Sequence, residues 1–210
     1  MPDSVEKPTL LIIDGHSLAF RAFYALPVDS FVTRDGQHTN AIHGFISMLL
    51  NLLQTYKPTH LAVAFDISRF SFRTREYPEY KGTRAETPPE FKGQIPLLEE
   101  ALAAMGIQTL SKEDYEADDI LATLAARGSA DGFQVFVVSG DRDTIQLVND
   151  EVTLLYPNVR GVSELKVYDP AAVRDFFHVA DAGAAFAALL ASDVAGPVNI
   201  ASGKGVTITD

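Results

Sequence analysis

A short apolar run in the last third of the chain constrains the fold more than any other feature. Residues 135–138 read Val-Phe-Val-Val, which is typical of a strand buried on both faces of a parallel sheet. Ser139 and Gly140 end the run, and two carboxylates follow at Asp141 and Asp143. Because ligands of open parallel sheets lie beyond the carboxyl ends of the strands, this segment predicts a metal site at that edge.

Three other segments place acidic residues in comparable positions. Residues 9–13 and 60–65 are apolar runs that predict buried strands, and an aspartate follows each run at once. A further acidic cluster opens an amphipathic helix predicted over residues 116–127, where the helix dipole favours negative charge. The acids of the whole set are Asp14, Asp66, Glu116, Asp118, Asp119, Asp141 and Asp143. Right-handed crossovers between parallel strands would place them on one edge of the sheet.

Each acid taken alone has an ordinary explanation, because carboxylates commonly cap helices and occupy turns after strands. Many carboxylates in proximity, however, raise one another's pKa values unless cations neutralise them. Hard divalent ions suit a site made of oxygen ligands, so the pattern favours Mg²⁺ or Mn²⁺. Two such ions about 4 Å apart can activate a water molecule and stabilise the leaving oxygen of a phosphodiester.

The order of the predicted elements favours an α/β domain. Helical spacing over residues 42–56 alternates with short strands, and further strands are predicted at 107–110 and 152–156. Thr87 predicts the N-cap of a helix that kinks or restarts at Pro96. Alternating strands and helices predict three layers around a mostly parallel sheet.

Composition and charge narrow the class of ligand. The net charge of −11 argues against nucleic acid, but between Arg69 and Arg84 five basic residues face two acidic ones, interleaved with Phe and Tyr. This mixture suits a segment that neutralises phosphates and stacks on bases, although a solvated surface explains it equally well. The absence of cysteine excludes disulfides and thiolate zinc sites and favours a cytoplasmic location. No apolar run is long enough for a membrane span.

Five ordered motifs carry a resemblance to a known family. They are Asp14-Gly15-His16-Ser17-Leu18-Ala19-Phe20-Arg21-Ala22-Phe23-Tyr24, Ala64-Phe65-Asp66, Tyr80-Lys81-Gly82-Thr83-Arg84, Glu116-Ala117-Asp118-Asp119 and Gly140-Asp141-Arg142-Asp143. Over residues 10–176 the chain resembles the 5′ nuclease, or flap endonuclease, family, in the version found as the N-terminal 5′→3′ exonuclease domain of bacterial DNA polymerase I. The resemblance implies a PIN-like α/β fold with a helical arch and cleavage of DNA that carries a 5′ flap or a 5′ end.

The resemblance also implies roles for individual residues. Arg21 and Lys81 are the implied catalytic residues, Arg21 because it resembles the family's residue near the scissile phosphate. Arg73, Lys81 and Arg84 resemble the basic residues of the arch, so these three and Arg21 are implied to bind DNA. The implied ligands of a first metal ion are Asp14, Asp66, Glu116 and Asp118, with Asp119 beside them. Asp141 and Asp143 resemble the acids that are shared with, or directed at, a second ion. The implied cofactors are two Mg²⁺ or Mn²⁺ ions, and the implied partners are DNA and, in a parent protein, a polymerase domain.

The chain departs from the family pattern near its end. The family continues into a Gly-Asp-x-Ser-Asp-Asn segment, whose aspartates complete the second metal site, and into a helix–turn–helix that grips the duplex; neither is present. Residues 177–210 instead resemble the C-terminal part of NAD-dependent sugar epimerases and dehydratases, but this tail has no dinucleotide-binding Gly-x-Gly-x-x-Gly motif. We therefore expect a 5′ nuclease core over residues 1–176, incomplete at its C-terminal side, followed by an unrelated tail.

Three functions are consistent with these observations. The first is a structure-specific 5′→3′ exonuclease or flap endonuclease that uses two metal ions and is impaired by the loss of the second-metal aspartates. The alternative is a non-catalytic remnant, in which the basic residues hold a 5′ strand and the acids perform no chemistry. A fragment of an NAD-dependent sugar epimerase has the least support, because only the tail suggests it.

Overall fold

The computed structural model describes five ranges of the chain, 7–68, 70–77, 79–80, 87–157 and 164–173. Most of the 5′ nuclease core predicted from the motifs falls inside them. The epimerase-like tail predicted for residues 177–210 lies outside the described residues, and so do Lys81 and Arg84 of the predicted arch. In the described part of the chain, no helix is both long and apolar enough to cross a membrane.

One six-stranded sheet forms the centre of the molecule. Its strands are β1 (Thr9–Asp14), β2 (His60–Ala64), β3 (Gln108–Leu110), β4 (Gln134–Val138), β5 (Val152–Pro157) and β6 (Leu165–Tyr168). They are arranged in the order β3-β2-β1-β4-β5-β6. The first five strands are parallel, which confirms the prediction of a mostly parallel sheet, and β6 pairs with β5 in the antiparallel direction.

Helices cover both faces of this sheet. They are α1 (Gly15–Ala25), α2 (Asn40–Tyr56), α3 (Phe72–Glu76), α4 (Pro89–Lys92), α5 (Gln94–Ala104), α6 (Ala117–Ala130) and α7 (Pro170–Val173). On β1, Leu11 and Ile13 pack into the core shared with α1, α2, α4 and α5, whereas Ile12 packs into the core shared with α6. Because neighbouring strand residues point to opposite faces, a strand apolar at every position requires two cores. The three-layer architecture is therefore confirmed.

The helical segment after residue 87 differs from the prediction in detail. Thr87 is not its N-cap: the helix α4 begins at Pro89 with Pro88 in the cap position and no side-chain cap hydrogen bond. The break comes at Gly93, and α5 restarts at Gln94, so that Pro96 lies inside the first turn of α5 and does not interrupt it. Proline is tolerated there because the N–H groups of a first turn have no partner within the helix.

The order of the strands places the acids near the middle of one edge. Chain order reverses between β1 and β4, which are neighbours in the sheet, and ligands bind at such a switch point in open α/β folds. Asp14 is the last residue of β1, and Ser139 follows β4 directly. Asp66 lies two residues beyond the end of β2.

We expect Gly15→Ala to destabilise the fold by about 1–3 kcal/mol. A Cβ at residue 15 would lie 2.4 Å from Cε1 of Phe65, whose side chain is fully packed in the core and cannot move away without loss. Gly93→Ala is the control, because its Cβ would meet only the Gln37 side chain at an ordinary 3.4 Å. Urea unfolding measures both variants, and a Gly15→Ala protein as stable as wild type would contradict the packing described.

Candidate active site

The carboxylate of Asp14 lies at the centre of the site. It is buried, and it caps the first turn of α1 by accepting a hydrogen bond of 2.9 Å from the backbone N–H of Ser17 on Oδ1. Its other oxygen, Oδ2, accepts a 2.9 Å hydrogen bond from the hydroxyl of the buried Ser139. The hydroxyl of Ser17 in turn accepts from the N–H of Gly140 at 2.8 Å. These bonds join the end of β1, the start of α1 and the end of β4.

Burial raises the pKa of Asp14 from 3.8 to about 7. Loss of hydration is the largest cause, and the negative charges of Asp118 and Asp66 raise this pKa further, whereas the hydrogen bonds from Ser17 and Ser139 lower it. The charges of Asp118 and Asp66 therefore act on Asp14 from two other segments of the chain. The sharing of a metal ion by these three acids remains a prediction.

Asp66 connects β2 to α6. Its Oδ1 accepts a 2.6 Å hydrogen bond from the N–H of Ala117, the first residue of that helix. The Asp66 N–H donates to Nδ1 of His16 at 3.3 Å, and the same Nδ1 lies 4.0 Å from Oδ2 of Asp66. An Nδ1 that accepts a hydrogen bond carries no proton, and burial lowers the pKa of His16, so the neutral imidazole is the form that fits.

Glu116, the N-cap residue of α6, is held by two hydroxyl groups from the basic, aromatic segment. Oε1 accepts from the Ser71 hydroxyl at 3.1 Å, and Oε2 accepts from the Tyr80 hydroxyl at 3.3 Å. The Glu116 side chain is only 8% exposed. The segment that leads toward the predicted arch is thus attached directly to one of the predicted metal ligands.

Arg73, one of the basic residues implied to bind DNA, pairs with an acid of the site in this structure. Its guanidinium forms a two-pronged ion pair with Asp119, with hydrogen bonds of 2.7 and 2.6 Å, and lies 4.0 Å from Glu116. One Asp119 oxygen also accepts from the Glu116 N–H at 3.0 Å. Asp119 therefore anchors Arg73 and caps α6 in this structure, and the DNA-binding role of Arg73 and the ligand role of Asp119 remain predictions.

The last pair of acids, Asp141 and Asp143, lies on the β4 side of Asp14. The N–H of Asp141 donates to the Ser139 hydroxyl at 3.1 Å, so Asp141 is connected to Asp14 through one shared serine. The Asp141 side chain accepts from the N–H of Asp143 at 2.9 Å, within a 3₁₀ turn over Arg142–Leu147. Asp143 is exposed on this turn. The two acids thus stay close to the edge while Asp143 faces outward.

The guanidinium of Arg21, another predicted basic residue of the site, is partly enclosed. Its Nε and Nη2 atoms are buried and have no hydrogen-bond partner in the described part of the chain. Arg21 lies four residues after Ser17, so helical periodicity places the two on one face of α1, which Asp14 caps. Buried donors without acceptors are costly, and they suit an anionic ligand that is not part of the chain.

The donor chemistry of this edge fits a hard divalent cation, since every predicted ligand is a carboxylate. As the side chains stand, no three His, Asp or Glu residues of the described ranges lie close enough together to hold one ion. Hydrogen bonds from Ser71, Tyr80 and Arg73 occupy the oxygens of Glu116 and Asp119. The acids therefore follow strands that end at one edge of the sheet. Some of the oxygens that could bind a metal ion accept hydrogen bonds from the protein instead.

Sequence reasoning missed the neutral residues that position the acids. Ser139 is buried and bridges Asp14 to Asp141, and His16 contacts Asp66, although its isolated position gave no paired spacing of the kind that marks a metal-binding histidine. Ser17 and Ser71 act similarly. The sequence could have indicated only the serines next to the acidic motifs, because a hydroxyl adjacent to a strand end is well placed to donate a hydrogen bond to a carboxylate.

The fold and this acid-lined edge correspond to a defined family. Residues 9–178 match the model of the 5′-3′ exonuclease N-terminal resolvase-like domain. The match covers most of the chain, and the chain belongs to that family.

Relatives of known name support the same assignment. The chain is 57% identical over 167 residues to DNA polymerase I of Mycobacterium tuberculosis, covering 80% of this chain and 18% of the relative. It is 47% identical over 169 residues to DNA polymerase I of Bacillus caldotenax, covering 80% of this chain and 19% of the relative. The chain thus spans about a fifth of the length of the polymerases that it matches.

Solved structures support the fold. The bacteriophage T5 5′-exonuclease with bound divalent metal ions (zinc) aligns with a TM-score of 0.58 at 20% identity, covering 80% of this chain and 60% of that chain. The T5 flap endonuclease in a pseudo-enzyme-product complex with DNA and metal ions aligns with a TM-score of 0.57 at 23% identity, covering 79% and 59%. At these identities the similarity concerns the architecture of the domain.

The raised pKa of Asp14 generates a prediction about stability. An acid whose folded-state pKa is raised stabilises the fold fully only below its unfolded-state pKa, and this contribution is lost progressively as the pH rises from 3.8 to about 7. We expect Asp14→Asn, in EDTA, to melt about 5 °C or more above wild type at pH 8, with a difference about a third as large at pH 5. The amide keeps an oxygen for the Ser17 N–H and removes the buried charge.

Differential scanning calorimetry at the two pH values measures this difference. Asp150→Asn, which removes an exposed carboxylate in a turn, is the control and should change the melting temperature little at either pH. If the melting temperature of Asp14→Asn lies below that of wild type by the same amount at pH 5 and pH 8, Asp14 is not a destabilising buried charge.

Proposed function

We propose that this chain is a 5′ nuclease domain that hydrolyses phosphodiesters of DNA near a 5′ end or a 5′ flap, with Mg²⁺ or Mn²⁺ as its cofactor. The observation that carries the proposal is the environment of Asp14. The hydrogen bonds that it accepts from Ser17 and Ser139 come from neutral donors, while Asp66 and Asp118 add negative charge around it. A buried carboxylate in such surroundings is unfavourable unless a cation joins it.

Divalent ions bound at this edge would lower the pKa of a water molecule and stabilise the leaving oxygen of a phosphodiester. The proposed first-site ligands are Asp14, Asp66, Glu116 and Asp118, with Asp119 beside them, and Asp141 and Asp143 are directed at the second. The carboxylate-only donor set and the charge around Asp14 support this assignment. The identity of the ions is part of the proposal.

The basic residues complete the proposed chemistry. The enclosed Nε and Nη2 of Arg21, which lack acceptors among the described residues, suit a phosphate oxygen of the DNA strand beside the acids. Lys81 and Arg84, proposed to contact the 5′ strand from the arch, follow Tyr80, whose hydroxyl is bonded to Glu116. A contact between this segment and the DNA strand would therefore affect Glu116 through its hydrogen bond from Tyr80.

The relatives extend the proposal to partners. Because the matched relatives are DNA polymerases of which the matched segment is only 18–19%, we propose that the domain acts with a polymerase domain in a parent protein. The family's second-metal aspartates are absent from the sequence, so reduced turnover relative to a complete family member remains a prediction. The cytoplasmic location also remains a prediction.

A second candidate, binding of DNA without cleavage, is supported by the ion pair between Arg73 and Asp119. If this pair persists in the presence of metal ions, Asp119 and Glu116 stay engaged by the chain itself. The basic residues would then hold a strand while the acids perform no chemistry. The epimerase reading depends on a tail that lies outside the described residues, and no observation in the described part of the chain favours it.

We expect wild-type protein to cleave an end-labelled 5′-flap DNA in Mg²⁺ or Mn²⁺ and not in EDTA. Glu116→Gln should lower the cleavage rate about 100-fold or more, because it removes one charged ligand while an amide oxygen can still accept from Ser71. Glu100→Gln is the matched control: it is the same exchange at an exposed position of α5 and should leave the rate unchanged.

Fluorescence anisotropy with the same flap separates the two candidates. Binding of DNA with no cleavage in either metal would favour the non-catalytic function. Cleavage that Glu116→Gln leaves intact would exclude this acid cluster as the catalytic site.

A further inference from the structure

A pocket of about 220 Å³ lies beside the acid cluster and belongs to no part of the site described above. One wall is formed by Ile67, Ser68 and Phe70, and the other wall by residues 112–115. Ile67 follows Asp66 in the chain, and Tyr115 precedes Glu116. Both walls are therefore continuous in the chain with proposed metal ligands.

The first wall presents an unusually exposed aromatic ring. Phe70 is 81% exposed and Ile67 is 59% exposed, although large apolar side chains are normally buried. The backbone at Phe70 is nevertheless fixed: its N–H donates to the Ser68 hydroxyl at 3.0 Å, and that hydroxyl donates to the Phe70 carbonyl at 3.0 Å. An ordered turn therefore fixes the backbone that carries the exposed ring.

The second wall is also fixed in place. Tyr115 is 48% exposed, and its ring packs against that of Phe72 with centroids 5.8 Å apart. Asp114 adopts a left-handed φ of 69°, accepts from the Phe72 N–H through its carbonyl at 3.1 Å, and pairs with Arg75 at 2.7 Å. The Asp114 charge is therefore balanced by Arg75, and Lys112 supplies a positive charge to the rim.

We propose that this pocket binds one nucleobase of the DNA strand whose phosphodiester lies at the acid cluster, by stacking of the base on the Phe70 ring. The inference rests on the proposed function and adds a subsite to it. Bases of every kind stack on aromatic side chains, so such a subsite holds a strand without reading its sequence. Ser68 and Glu113 offer polar groups to the edge of a base, and Lys112 suits its phosphate.

The geometry favours a base over a protein segment as the occupant. The pocket has the volume for a single flat ring system, and its two walls belong to the segments that carry Asp66 and Glu116. An amphipathic helix or an added strand needs a groove or a free sheet edge of several residues. The walls belong to the turns after β2 and β3, at the edge of the sheet where the acids gather.

Flap DNA carrying the fluorescent base 2-aminopurine tests the proposal, with the probe placed in turn at each of the three positions on either side of the junction. Binding to the full chain is measured in EDTA, so that no strand is cut. We expect wild-type protein to quench the probe at one or two positions. Phe70→Ala should abolish this quenching and weaken binding about 5-fold or more, whereas Phe70→Trp should retain both.

Met105→Ala is the control. Met105 is also exposed, but it lies just before β3, at the opposite edge of the sheet, and its loss should change neither quenching nor affinity. If wild type binds DNA and Phe70→Ala quenches and binds as wild type does, the subsite is wrong while the proposed function stands. If Phe70→Ala changes only self-association in light scattering, the pocket is a protein contact and the proposal is overturned. If anisotropy shows no DNA binding by wild type, the proposed function fails with it.

Discussion

The arrangement of the site depends on one buried carboxylate. Asp14 ends the central strand, caps the helix that follows, and accepts the hydroxyl of Ser139 from the neighbouring strand β4. Structurally, these bonds join β1, α1 and β4 at the point where the strand order reverses. Electrostatically, the same carboxylate is placed among other acids where water is excluded, at a cost on the order of 4 kcal/mol when it ionises. A fold retains such a group at a cost to stability where a ligand or a reaction requires it.

The basic segment and the acids form one electrostatic unit. Arg73 neutralises Asp119, and the hydroxyls of Ser71 and Tyr80 hold Glu116, so the residues that lead toward the arch are fastened to the residues proposed to bind metal. Hydrogen bonds to ionised partners are among the stronger polar contacts in proteins. A cation that binds Glu116 shares the Glu116 carboxylate with these donors. We therefore expect the positions of the basic segment and of the acids to depend on each other.

The sequence was sufficient to predict those features that follow from local pattern. Uninterrupted apolar runs such as 135–138 require burial on both faces, and an acid directly after each run is carried to the same edge by parallel pairing. The antiparallel strand β6 was not predicted, because Leu165–Tyr168 is short, has two neighbouring exposed residues and pairs at the edge of the sheet. The break at Gly93 replaced the one expected at Pro96, since proline is accommodated in a first turn.

The contacts between distant segments were beyond sequence reasoning. A basic, aromatic run looks the same whether its arginine meets a phosphate or an aspartate 46 residues away, and the pairing of Arg73 with Asp119 is decided by tertiary packing. The same is true of His16, whose single ring gave no spacing to interpret until β2 placed Asp66 beside it. A serine that bridges two strands, as Ser139 does, can be identified only when it is known that the two strands are neighbours in the sheet.

The central claim is that acids far apart in the chain share bound cations at one edge of the sheet. Crystals of the wild-type protein soaked in Mn²⁺, with anomalous diffraction recorded at the manganese edge, test it most directly. The account predicts an anomalous peak coordinated by Asp14 and at least one of Asp66, Glu116 and Asp118, which is absent from crystals of Asp14→Asn. The claim would be contradicted if fully soaked crystals showed no anomalous peak at this edge, or if the peak lay away from Asp14.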